Sequence, residues 1–149
     1  MKIFFDTNVY VAEALLGEAA QEMLAATEKA SWRIYANEHL LDELVRVLAD
    51  ELGFSRRLAL LSRQRVFRRT TLVDPVVSRH NVPDDVADTP ILAAALQAGV
   101  DYLVTNDRHL LALDPYEGLR IVSMHQYRDI LVAEGLLAPG AWFNPPTEN

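Results

Sequence analysis

Short apolar runs alternate with longer amphipathic stretches from the first residue of the chain. The apolar, often β-branched runs predict five strands, at 3–5, 32–36, 70–73, 102–104 and 120–123. The stretches between them predict helices that begin near Val9 and cover 18–30, 38–52, 55–69, 89–98, the surroundings of Leu110, and 126–134. This alternation is typical of an α/β protein, a three-layer sandwich in which helices cover both faces of a parallel sheet.

Composition sets the broad class and the number of domains. With 149 residues, half of them hydrophobic, the chain is long enough to bury a core of its own. We expect one domain over residues 1–135, followed by a proline-rich tail over 136–149 that suits neither helix nor strand. Cysteine is absent, which excludes disulfides and thiol chemistry. No apolar run is long enough to span a bilayer, so we predict no membrane contact and a cytoplasmic location.

The net charge of −7 hides an uneven distribution of charge. The segment 55–69 contains no acidic residue and six of the 14 basic ones, which are Arg56, Arg57, Arg63, Arg65, Arg68 and Arg69. Such a basic helix can bind the phosphates of a nucleic acid, contact an acidic partner protein, or simply face solvent. The sequence leaves these three interpretations open.

Several acidic residues lie just after predicted strands or just before a predicted helix. Asp6 comes after the first strand, Asp107 after the fourth, and Asp88 just before a helix. The ends of parallel strands and the starts of the following helices share one edge, so these carboxylates are expected to converge there. Glu43 lies about one turn into another helix, where spacing alone does not select it. Taken singly, each acid also has an ordinary role as a helix cap, turn residue or solvated side chain.

Clustered carboxylates repel one another unless a cation lies among them. Oxygen ligands without cysteine or paired histidines favour Mg²⁺ or Mn²⁺. Such an ion can activate water for hydrolysis of a phosphodiester bond. The acidic edge therefore predicts a metal-dependent hydrolytic site with the basic helix as a candidate phosphate contact.

Four segments, 3–9, 41–48, 85–96 and 101–111, resemble in order and spacing the PIN domain family over about residues 2–131. The resemblance is strongest to VapC-like ribonucleases, the toxin components of bacterial toxin–antitoxin systems. It implies a sheet in the order 3-2-1-4-5 and a metal-dependent endoribonuclease that leaves 5′-phosphate and 3′-hydroxyl ends. It also implies RNA as substrate, a cognate antitoxin and a homodimer as partners.

Matching motif positions give the expected roles of individual residues. The catalytic and metal-binding acids are Asp6, Glu43, Asp88 and Asp107. Asn8 and Thr105 are expected as polar supports, and Asp85 either as an auxiliary acid or as a loop residue. Arg108 joins the arginines of 55–69 as a candidate substrate contact.

One position departs from the family pattern, and two other functions remain open. Many relatives carry a second acid two residues after the fourth-strand aspartate, where this chain has His109. A haloacid-dehalogenase-like phosphatase also places an aspartate after its first strand, but it needs a second aspartate where this chain has Asn8. A binding module that keeps the metal site without turnover is the other alternative.

Overall fold

The computed structural model describes residues 1–74 and 89–139, which are built around one five-stranded sheet. The strands are β1 (Lys2–Phe5), β2 (Arg33–Ala36), β3 (Thr71–Leu72), β4 (Tyr102–Val104) and β5 (Arg120–Val122). All neighbours pair in parallel, in the order β3-β2-β1-β4-β5. The predicted α/β fold and its strand order are therefore confirmed.

Seven α-helices lie between or after the strands in the described part of the chain. They are α1 (Thr7–Ala14), α2 (Glu18–Lys29), α3 (Glu38–Arg46), α4 (Arg56–Arg69), α5 (Thr89–Ala98), α6 (Arg108–Leu111) and α7 (Met124–Ala133). The sequence predicts one helix over 38–52, but α3 ends in a π-helical turn, Val47–Glu51, in which the N–H of Leu52 bonds to the carbonyl of Val47. Helix α7 starts earlier than predicted because Ser123 and Gln126 form a capping box.

The central strands are buried on both sides. Ile3, Phe4 and Phe5 of β1 are all inaccessible to solvent. Because successive strand residues point to opposite faces, helices must cover both faces of the sheet, as in the predicted three-layer sandwich. Among the described residues, no helix combines the length and apolar character needed to cross a membrane.

The strand order places the ends of β1 and β4 side by side. From β1 the chain continues to β2 and β3 on one side, whereas β4 and β5 lie on the other side. The N–H of Asp6, just after β1, donates to the carbonyl of Val104 at the end of β4 over 2.9 Å. This reversal of strand order is the usual position of a ligand site in an open α/β sheet.

The N-terminus of α5 lies at the same edge. The side-chain amide of Asn37, which follows β2 and caps α3, donates to the carbonyl of Pro90 over 3.3 Å. The first turn of α5 is thereby fixed beside the carboxyl ends of the strands. Asp88 and Asp85 precede α5 in the sequence and lie outside the described residues, as do positions 140–149 of the predicted tail.

Candidate functional site

Asp6 is the most deeply buried of the three described acids of the predicted site, with 3% of its surface exposed. It caps α1, since its Oδ1 accepts a hydrogen bond from the N–H of Thr7 over 2.7 Å. Its Oδ2 accepts a second hydrogen bond of 2.7 Å from the hydroxyl of Thr105. Both contacts fix the carboxyl group at the junction of β1 and β4.

The surroundings of Asp6 disfavour its negative charge. Burial raises the pKa of Asp6 to about 6, although the hydrogen bonds from Thr105 and Thr7 act in the opposite direction. The negative charges of Glu43 and Asp107 act in the same direction as burial and contribute to this raised pKa. The hydrogen-bond donors Thr105 and Thr7 are neutral and do not cancel the charge of the buried carboxylate. A cation bound beside Asp6 would cancel it.

Thr105 links the residues that follow β1 and β4. Its fully buried hydroxyl donates to Asp6 and accepts from the N–H of Asp107 over 3.0 Å. It also accepts a long hydrogen bond, 3.5 Å, from the side-chain amide of Asn8. One donor and two acceptor positions of the hydroxyl are thus used. The roles of Thr105 and Asn8 as supports of the acidic site remain predictions that these contacts support.

The hydrogen bonds of Thr105 determine which atom of the Asn8 side-chain amide has no hydrogen-bond partner. The hydroxyl already donates to Asp6, so Asn8 can only meet it with its NH₂ group. The amide oxygen of Asn8 is then buried without a hydrogen-bond partner among the described residues. An unpaired carbonyl oxygen beside two carboxylates suits a cation or an ordered water.

Glu43 reaches the site from α3. Its Oε1 accepts a hydrogen bond of 2.7 Å from the hydroxyl of Thr7, and its Oε2 lies 3.6 Å from the guanidinium of Arg46. Spacing alone does not identify Glu43, and sequence reasoning missed Thr7. A hydroxyl residue at the first helical position after a capping aspartate is the signal that could have identified Thr7.

Asp107 is the N-cap of α6. Its Oδ1 accepts hydrogen bonds from the N–H groups of His109 and Leu110, over 2.7 and 3.3 Å. The imidazole of His109 also lies near this carboxylate, with 3.7 Å between Nδ1 and Oδ1. The helix capping that the sequence allows and a role in the site are therefore compatible, because Asp107 retains a second oxygen.

These side chains surround one cavity of about 230 Å³. It is lined by Asp6, Thr7, Asn8, Val11, Glu43, Val47 and Asp107. Val47 lies at the start of the π-helical turn, so this irregularity of α3 forms part of the cavity wall. The structure thus brings three of the four predicted acids together, and the fourth, Asp88, lies outside the described residues.

The donors of this cavity suit a hard divalent cation, since they are carboxylate and amide oxygens. Within residues 1–74 and 89–139, however, no three acidic or histidine side chains are grouped closely enough to hold an ion. A complete metal site would therefore need a further ligand. Asp88 is the candidate that the sequence offers.

The arginines of α4 differ in their surroundings. Arg69 is largely buried and ion-paired with Glu13 of α1, which Arg65 approaches to 3.7 Å. Arg63 is bonded to Glu38 and lies 3.4 Å from Asp42. Three others, Arg56, Arg57 and Arg68, are exposed on α4, and Arg108 is exposed beside Asp107. The six arginines of this segment therefore do not form one uniform basic surface.

Fold and site together define an α/β protein with an acidic, oxygen-lined site where the strand order reverses. The chain belongs to the PIN domain family, whose model, described as "PIN domain", matches residues 2–109. PIN domains are typically nucleases and generally use divalent metal ions. The resemblance inferred from the sequence is thereby confirmed.

A solved structure supports the same fold. It is a chain from the crystal structure of VapBC2 from Rickettsia felis bound to a DNA fragment from their promoter. The match has a TM-score of 0.59 at 14% sequence identity and covers 83% of this chain and 98% of that one. A search of curated protein sequences gives no significant match.

Proposed function

We propose that this protein is a divalent-metal-dependent endoribonuclease and the toxin component of a toxin–antitoxin pair. The observation that carries the proposal is the buried carboxyl group of Asp6, held beside Glu43 and Asp107 in one cavity of a PIN fold. The fold similarity to a chain of VapBC2 supports the more specific part of the proposal.

Asp6 and Asp107, with Asp88, are the residues that would hold Mg²⁺ or Mn²⁺. When bound, the ion activates water and offsets the charge of the phosphate. Glu43 orients the attacking water and takes up its proton. Attack at phosphorus breaks the bond to the 3′-oxygen, which takes a proton from solvent and leaves as a 3′-hydroxyl, and the other product keeps a 5′-phosphate. Arg108 is exposed at the start of α6 and would contact a neighbouring phosphate of the substrate.

Incubation with a mixed RNA pool tests this function directly. We expect cleavage in the presence of Mn²⁺ or Mg²⁺. We expect no cleavage in EDTA, because EDTA removes the ion that activates water. The product ends should be 5′-phosphate and 3′-hydroxyl. Hydrolysis of a small phosphate monoester with RNA left intact would favour the phosphatase alternative. Metal binding without any turnover would favour the non-catalytic module.

Surface features of α4 support a macromolecular contact. Leu58 and Leu61 are about half exposed although they lie on a helix of a folded domain. Arg57 and Arg68 are exposed and have no acidic partner among the described residues. RNA and an acidic antitoxin segment both match this charge, and a homodimer remains a further proposal.

Reversing the charges of two arginines tests whether α4 binds RNA or an acidic partner. Replacing Arg57 and Arg68 by Glu should weaken RNA binding at least tenfold and flatten the dependence of affinity on salt, since fewer counterions are released. The matched control reverses Lys29 and Arg33, two exposed cations at the other edge of the sheet. Equal affinity and salt slope in both double variants would exclude α4 as the RNA contact and leave the acidic partner.

A further inference from the structure

Thr7 lies between two acids of the candidate site. It is the first residue of α1 and is 6% exposed. Its N–H donates to Oδ1 of Asp6 and its hydroxyl donates to Oε1 of Glu43, each over 2.7 Å. Thr7 thus connects the carboxyl group that follows β1 with the carboxyl group of Glu43 on α3, which lies 36 positions after Thr7 in the chain.

The two hydrogen bonds of Thr7 differ in what they require from the side chain. The bond to Asp6 comes from the backbone, so any residue except proline can make it. The bond to Glu43 needs a hydroxyl at this position. A side chain of the same shape without the hydroxyl would therefore lose only the contact to Glu43.

Glu43 depends on such contacts for a fixed orientation. Its long side chain has three rotatable bonds and loses considerable rotamer entropy when it is held in one position. In the described structure, one carboxylate oxygen is held by Thr7 and the other faces Arg46 at 3.6 Å. The shorter of these contacts is the one to Thr7, and it is also the more buried, since Arg46 is half exposed.

We propose that Thr7 is a positioning residue, which holds Glu43 beside Asp6 so that Glu43 orients the attacking water. The proposal rests on the proposed nuclease function. Asp6 and Asp107, two of the acids proposed to hold the cation, are fixed by backbone N–H donors and by Thr105, so their positions do not depend on the Thr7 hydroxyl. Thr7 therefore affects the rate of the chemical step more than the binding of the ion.

The test compares Thr7→Val with Thr7→Ser. Thr7→Val keeps the shape and the backbone bond to Asp6, and we expect kcat to fall at least tenfold while KM stays within threefold. Mn²⁺ affinity, measured by calorimetry, should also stay within threefold of the unchanged protein. Thr7→Ser keeps the hydroxyl and should restore kcat to within threefold. A Thr7→Ser variant as slow as Thr7→Val would overturn the proposal, as would a tenfold loss of Mn²⁺ affinity in Thr7→Val.

A double variant separates this proposal from the nuclease function. In a Glu43→Ala background, which has no acceptor for the Thr7 hydroxyl, Thr7→Val should lower kcat by less than twofold further, because both changes remove the same contact. Metal-free denaturant unfolding gives an independent measure, in which the midpoint shifts of the two changes should be clearly non-additive. Additive shifts would refute the Thr7–Glu43 coupling. If the protein cleaves no RNA at all but the shifts are non-additive, the nuclease function fails and the structural link stands.

Discussion

Replacing Asp6 by Asn is expected to abolish metal-dependent RNA cleavage and, at the same time, to stabilise the protein at neutral pH. Asn has the shape of Asp and can still accept from the N–H of Thr7, so the cap of α1 is kept. Its NH₂ group would face Thr105, whose hydroxyl can accept from it in place of the long 3.5 Å bond from Asn8. The variant loses the negative charge that the metal needs, and with it the cost of burying that charge.

The pH dependence of this stabilisation follows from the direction of the pKa shift. The pKa of Asp6 is raised from 3.8 to about 6 in the folded protein, so the folded state binds this proton more tightly than the unfolded state. Ionised Asp6 therefore costs stability above pH 6, and the cost disappears as the pH falls from 6 toward 4. Asp6→Asn should raise the free energy of unfolding by about 3 kcal/mol at pH 7.5 and have little effect near pH 4.

Urea unfolding of both proteins between pH 4 and 8, without metal, measures this difference. Asp101→Asn is the matched control, since Asp101 is exposed at the opposite end of β4 and accepts from the backbone N–H of Lys2. The control should cleave RNA normally and show no comparable gain at high pH. Undiminished metal-dependent cleavage by Asp6→Asn would refute the assignment of Asp6 to the site.

The second large effect is expected from Arg69→Met, which should lower the stability of the fold and leave RNA binding unchanged. Arg69 and Glu13 form a bidentate ion pair between α4 and α1, with exposed side-chain fractions of only 11% and 7%. The guanidinium also lies over the ring of Tyr10, 5.7 Å from its centroid. Removing Arg69 leaves the Glu13 carboxylate buried, and Arg65, at 3.7 Å, is then its one ion-pair partner among the residues that the structure describes. We expect a loss of about 3 kcal/mol in the free energy of unfolding.

Two further variants identify the cause of that loss. Replacing Glu13 and Arg69 together by Met should recover most of the stability, because no uncompensated charge remains. Arg120→Met breaks the exposed pair with Asp114 and should cost only a small fraction of the loss. If Arg69→Met weakens RNA binding while the unfolding midpoint is unchanged, Arg69 is a substrate contact and the structural interpretation is wrong.

Sequence reasoning went furthest where the chemistry is local. The alternation of apolar runs and amphipathic stretches predicts the parallel sheet. Asp6, one residue after β1, and Asp107, three residues after β4, are accordingly expected at its carboxyl edge. Glu43 lies in the middle of a helix, so no local pattern separates it from its acidic neighbours. The family resemblance selected it, and the described structure places it in the same cavity as Asp6.

The amino-acid sequence by itself determined the order of strands and helices, the absence of cysteine, and the acids available at the carboxyl edge of the sheet. Only the tertiary structure decided that Arg69 faces Glu13 and that Thr7 joins Asp6 to Glu43. The physical reason is that periodicity gives the direction of a side chain relative to its own element. The distance between side chains of distant elements depends on how those elements pack.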